Sequence, residues 1–180
     1  MQLIKNQEII ENGWVLIADD VPIPDQGRII VTLQRFKSLT ATDLSPIVHL
    51  GVSVTNTDDI SLLQNEFHRI DLIRLNFPAF TNGRAFSQAR ILRHQLKFEG
   101  DIRISGEFIL DQVHFLEKCG ATSFEVADDV GLENWIRVTR SLNYSYQPGY
   151  SLADTRMRGS KPTITADNED HERATELSAA

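Results

Sequence analysis

The run Asn76-Phe77-Pro78-Ala79-Phe80-Thr81-Asn82-Gly83-Arg84 concentrates the residues most able to do chemistry in this chain. Arg84 carries a planar fork of donors that matches a carboxylate, a phosphate or a sulfur oxyanion. Gly83 leads into a helix whose first amides lack an intrahelical acceptor and carry partial positive charge, which together favour an anion. Ser87 follows one turn later, and Phe77 and Phe80 can form an apolar wall. The same run also reads without a ligand: Asn82 caps the helix, Pro78 shapes the turn, both phenylalanines fill core and Arg84 is a surface charge. Glu107 and Asp111 are a second candidate group. Paired carboxylates can act as acid and base, and carboxylates in a first helical turn also stabilise the helix dipole.

Other chemistry-bearing residues point elsewhere. Arg90 and Arg93 rotate away from Arg84 at about 100° per residue, so they are expected on a solvated helix face or a partner interface. Asp111 and His114 share the polar side of a helix, but two ligands are too few for a metal, and His49, His68 and His94 form no readable cluster. Cys119 falls on an apolar helix side near a C-terminus, where a thiol is unreactive and packs as core. The sequence holds no GxGxxG, GxxxxGK[ST], GxSxG or CxxC, so no cofactor and no metal are expected.

The elements that must position Arg84 are strands alternating with helices. Residues 2–19 read as a hairpin turning at Glu11-Asn12-Gly13, with Trp14 to Ala18 as its second strand. Asp19 to Gly27, with Pro22 and Pro24, is a loop. Ile29 to Val31 is a short strand, and Leu33, Phe36 and Leu39 mark one face of a short helix. Ile47 to Val54, Ile70 to Leu75, Asp101 to Ser105 and Ser123 to Ala127 are strands. Between them, Ile60, Leu63, Phe67 and Ile70 fall at helical spacing after Thr57-Asp58-Asp59. Ala85, Ala89, Leu92 and Leu96 make a second stripe, and Ile109, Val113, Leu116 and Cys119 a third, stopped by Gly120. Leu132, Trp135, Ile136 and Val138 mark a last helix, and Asn143 to Gln147 a last strand. Repeated βα units of this length predict an α/β fold with a mainly parallel sheet, either open or half-barrel-like. Ligands of such folds sit beyond the carboxyl ends of the strands, where the Arg84 loop falls.

Composition bounds the rest. At 180 residues there is room for one α/β domain over residues 1–150, and residues 151–180 are too polar and charged to bury a core and read as a disordered tail. A net charge of −7 argues against nonspecific nucleic-acid or anionic-membrane binding. One cysteine excludes an internal disulfide or an iron–sulfur site and suits a reducing compartment. No apolar stretch approaches a membrane span, and the opening residues do not form a signal peptide, so a bacterial cytoplasmic protein is expected.

The runs FPAFTNGRAFSQARILR and RISGEFILDQVHFLEKCGATSFEV resemble the bacterial domain of unknown function 934 family, over roughly residues 12–147. The shared pattern is FPxFTxGRxxSxAR followed by GxxxxDQxxFxxxCG. It falls on Phe77, Pro78, Phe80, Thr81, Gly83, Arg84, Ser87, Ala89 and Arg90, then on Gly106, Asp111, Gln112, Phe115, Cys119 and Gly120. Members of that family are associated with assimilatory sulfite reduction, as oxidoreductases or as accessory proteins. The resemblance therefore implies sulfite reductase or a small anionic intermediate as partner. This chain departs from the family at Asn76 and Asn82, where acidic residues are usual, and at Ala85, where glycine is.

Overall fold

The structure is a computed structural model that describes residues 1–40 and 48–141. The expected strand at Asn143–Gln147, the tail over residues 151–180 and Ile47 lie outside the described residues.

The chain starts with two short antiparallel strands, β1 (Gln2–Lys5) and β2 (Glu8–Ile10). Asn6 and Gln7 join them with φ of 53° and 65°, positive at both central positions as a type I′ turn requires. An N-terminal hairpin is thus present, but it is not the one expected from Glu11-Asn12-Gly13. Those residues lead instead to β3 (Trp14–Leu16), at the far edge of the sheet. The Asn-Gly pair promotes a turn, yet β2 has already found its partner in β1.

Strands β4 (Gly27–Thr32), β5 (Val48–Val54), β6 (Leu72–Phe77), β7 (Asp101–Gly106) and β8 (Ser123–Val126) follow, and from β3 to β8 each pairs in parallel with the next. β1 adds antiparallel to β8, giving an eight-stranded sheet in the order β2-β1-β8-β7-β6-β5-β4-β3. Strands laid down in sequence through crossovers of one hand put every helix on one face. A sheet covered on that face curls around the other, so the half-barrel alternative is the one adopted. β2 and β3 end the order on opposite sides, yet only Glu11, Asn12 and Gly13 separate them. Four Cα steps of ~3.8 Å reach at most about 15 Å, so the curl brings the two edges that close. No ladder joins them, and Ile9, Ile10, Val15 and Leu16 stay exposed along this seam.

The helical layer consists of α1 (Leu33–Ser38), a 3-10 helix over Ile60–Arg69, α2 (Arg84–Arg90) continued by a π turn over Ile91–Gln95, α3 (Leu110–Cys119) and α4 (Leu132–Ser141). Ala85, Ala89 and Leu92 of α2 and its π turn, Val113, Leu116 and Cys119 of α3 and Trp135 of α4 pack on Ile73, Leu75, Phe77, Ile102, Ile104 and Phe124 of the sheet. The expected apolar stripes therefore face the core except at Ile109, which caps α3 and is 46% exposed, and Cys119 is buried, its thiol raised in pKa by that burial. Gly120 ends α3 in the left-handed conformation, with φ of 109°.

Arg93 is a correction. It lies four residues after Ala89, on the buried stripe, and not on a solvated face. Its guanidinium donates to the carbonyls of Phe98, Gly100 and Gly120, which the chain turns after the π segment and after α3 leave without helical partners. A Cβ at Gly120 would lie 2.4 Å from the Cβ of Arg93, whereas one at Gly27 would meet nothing within 4 Å. Both glycines have positive φ. Gly120→Ala is expected to cost at least ~2 kcal/mol, from strain plus overpacking, and Gly27→Ala only ~1 kcal/mol. Urea unfolding of the two variants measures the difference.

Candidate functional site at the carboxyl rim

α2 is a divider at the carboxyl ends of β5 and β6. Arg84, Ser87, Gln88 and Ile91 recur at i, i+3, i+4 and i+7, so they form one stripe on the helix. That stripe faces the Thr57–Ile60 segment across a cleft of about 280 Å³. Asp58 and Asp59 stand on the opposite wall, and Ile60 and Ile91 supply its apolar part. Asp59 caps the 3-10 helix by accepting from the Ser61 amide at 3.0 Å, and Asp58 accepts from the Thr55 amide at 2.7 Å. Hydrogen bonds from Ser61 are the main reason the Asp59 carboxyl is lowered in pKa, with the charges of Lys37 and Arg84 adding to it. Among the described residues no carboxylate comes within 4.0 Å of the Arg84 guanidinium. Its backbone amide is already taken, donating to Asn82 Oδ1 at 3.2 Å.

The other expected site residues spread out. Gly83 is the N-cap of α2. Phe77 ends β6 and is fully buried, its ring meeting Phe86 edge-on at 5.4 Å, so it belongs to the core. Phe80 is 53% exposed on the other side of α2. Glu107 and Asp111 are exposed and do not line the cleft. They lie near a different feature, an apolar patch between α2 and α3. There Phe80, Ile109 and Phe115 are each about half exposed. Gln112 ties the backbone of two of them: its Nε2 donates to the Phe80 carbonyl at 2.9 Å and its Oε1 accepts from the Ile109 amide at 3.2 Å. The Phe115 ring rests on Phe86 at 5.2 Å.

The inner face of the sheet holds a charge cluster that inspection of loops misses. Residues paired in register share a face, and Arg74, Arg103 and Ser123 form one such row across β6, β7 and β8. Glu125 Oε2 accepts from Arg74 Nε and Nη2 at 3.0 and 2.8 Å, and its Oε1 lies 3.6 Å from Arg103 Nη1. Arg103 is 2% exposed and also donates to Asn12 Oδ1 at 3.0 Å, reaching the linker at the seam. Asp101 accepts from Thr122 and Ser123 hydroxyls at 2.6 and 2.7 Å and pairs with Lys5 at 3.3 Å. Burial alone would raise the Asp101 pKa, but those hydroxyls and the charges of Lys5 and Arg103 outweigh it and hold it low. Burial lowers the Arg103 pKa, opposed by Asp101 and Glu125. The sequence signal for this cluster is charge within three otherwise apolar strands, Arg74 in β6, Asp101 and Arg103 in β7 and Glu125 in β8, where parallel strands otherwise read as continuous apolar runs.

The molecule is thus a βα half-barrel with a sealed, charge-paired inner face and an open carboxyl rim. Within that class it belongs to a family of bacterial proteins of unknown function (DUF934), whose model matches residues 51–156. The match takes in the rim cleft, the apolar patch, and Arg74, Arg103 and Glu125. No curated protein matches the chain. Among the described residues, no three His, Cys, Asp or Glu side chains gather as a metal site would need, and no helix is long and apolar enough to cross a membrane.

Two outcomes follow from the inner cluster. Glu125→Ala leaves the part-buried Arg74 without a carboxylate and the buried Arg103 with Asp101 alone, and is expected to cost ~3 kcal/mol in chemical denaturation. Asp101 has a depressed native pKa, so its contribution is fully present above its unfolded value of 3.8 and is lost as pH falls through the native value. Asp101→Asn should therefore be less stable than the parent at neutral pH. It should also lose less stability than the parent on acidification below about pH 4, read from unfolding midpoints across that range.

Proposed function

We propose that this protein is an accessory factor of assimilatory sulfite reduction in the bacterial cytoplasm, acting by binding and leaving the redox chemistry to sulfite reductase. The observation that carries the reading is the rim patch: three large apolar side chains, each about half exposed, with the backbone of Phe80 and Ile109 tied by Gln112 and the Phe115 ring against Phe86. Contiguous apolar surface that a fold fixes in place and leaves in water marks a docking face. Arg84, with no carboxylate beside it among the described residues, adds a cation at the same rim that can meet an acidic group of the partner or a small anionic intermediate. The resemblance to proteins of sulfite reduction supplies the partner's identity. The accessory role accords with Glu107 and Asp111 lying apart from the cleft: a carboxylate pair acting on a substrate held by Arg84 would need to face it.

The experiment is capture of purified assimilatory sulfite reductase by the tagged full chain. Phe115→Glu and Arg84→Ala are expected to reduce capture at least tenfold while melting temperature stays within a few degrees. Capture that survives Phe115→Glu, or no capture by the parent chain, overturns the docking role. A parallel titration with sulfite, lost in Arg84→Ala, reports on the anionic intermediate.

A further inference from the structure

The two walls of the rim cleft differ in sign. On one side are donors, the Arg84 guanidinium and the Ser87 hydroxyl; on the other are the carboxylates of Asp58 and Asp59. Arg84 is more than 4.0 Å from either carboxylate, too far for an ion pair. It is still near enough for its charge to act on Asp59. The hydrogen bonds that fix these aspartates use one oxygen of each, Oδ2 of Asp58 and Oδ1 of Asp59, and leave the other without a partner among the described residues. Gln88, 3% exposed, bridges the two walls from α2, its Nε2 donating to the carbonyls of Thr55 and Asp58.

A simple oxyanion answers only half of this. It can meet Arg84 and Ser87, but it faces two carboxylates. A simple cation has the converse fault. We propose that the cleft binds a small zwitterion carrying one carboxylate and one ammonium group, the class to which α-amino acids belong. Its carboxylate lies against Arg84 and Ser87, and its ammonium against the free oxygens of Asp58 and Asp59. Ile60 and Ile91 offer a short apolar side chain a place to rest. The cleft is shallow and its aspartates partly wet, so binding is in the millimolar range and screened by salt. This assignment rests on the Arg84 rim being a binding face and is independent of the docking patch on the other side of α2.

The test titrates the full chain with glycine and with L-serine, followed by amide chemical shifts in two-dimensional NMR. Acetate, methylammonium and sulfite serve as single-charge probes. Saturable shifts are expected for both amino acids, centred on residues 57–60 and 84–91, with each single-charge probe at least tenfold weaker. Asp59→Asn removes the charge but keeps a side chain that caps a helix as well, so the local fold survives. That variant and Arg84→Gln should each weaken glycine binding at least tenfold. Sulfite or acetate binding as tightly as glycine overturns the zwitterion while leaving an anionic intermediate at Arg84 intact. Absence of saturable glycine and serine shifts to 50 mM, or affinity unchanged in Asp59→Asn, also overturns it. Loss of sulfite reductase capture with glycine binding retained overturns only the docking role.

Discussion

A three-residue link sets the shape of this molecule. Glu11, Asn12 and Gly13 must carry the chain from one edge of an eight-stranded sheet to the other. A flat sheet of that width would hold its edges ~35 Å apart, at about 4.8 Å per strand, far beyond the reach of three residues. The sheet has to curl until its edges nearly meet. The curl turns one face into an interior, leaves all the helices outside, and brings the linker itself within reach of the inner side chains. Asn12 then accepts from Arg103, so the same segment that enforces the curl is fastened to what the curl encloses.

That enclosure explains why buried charges are tolerated on the inner face. Leu3, Ile30 and Leu72 occupy only part of the inner face. Other positions there carry Arg74, Arg103, Asp101 and Glu125, with Ser105 and Ser123. Each guanidinium is matched to a carboxylate, and Asp101 collects hydroxyl donors from Thr122 and Ser123. A network of this kind contributes little net stability compared with apolar packing, but it demands one arrangement of β6, β7 and β8 because any shift leaves a charge unpaired. Its donors and acceptors are consumed internally. At the rim, by contrast, Arg84 has no carboxylate within 4.0 Å among the described residues.

Much of the architecture was legible because it depends on local signals. The βα alternation, the buried stripes of α2 and α3, and Gly120 as the stop of α3 all follow from spacing and from one residue's backbone freedom. What was not legible depended on pairing. Asn12-Gly13 carries the strongest hairpin signal in the first twenty residues, yet Asn6-Gln7 makes the turn, because β1 also has to pair with β8 and therefore must end early. Arg93 looked solvent-facing when measured against Arg84; measured against Ala89, four residues before it, it lies on the buried stripe. Arg74, Arg103 and Glu125 are far apart in sequence and meet only through strand register. The Arg84 region was found from its loop, but its cleft faces Asp58 and Asp59, whose capping roles gave no hint that they would confront an arginine.

The arrangement of α2 shows how one short helix can serve two surfaces. Successive residues point about 100° apart, so three faces are available within two turns. Ala85 and Ala89 fill the sheet side, where small side chains let the helix lie close to β6. Arg84, Ser87 and Gln88 take the side toward the 3-10 helix, and Phe86 takes the side toward α3, stacked between Phe77 and Phe115. The strict spacing of glycine, arginine and serine in this stretch is then a geometric necessity: moving any one by a residue would swing it by about 100° and exchange a cleft-lining group for a core alanine or the aromatic support of the patch. Because Ala85 and Ala89 fix the helix against the sheet, the cleft and the patch lie on opposite flanks of the same element.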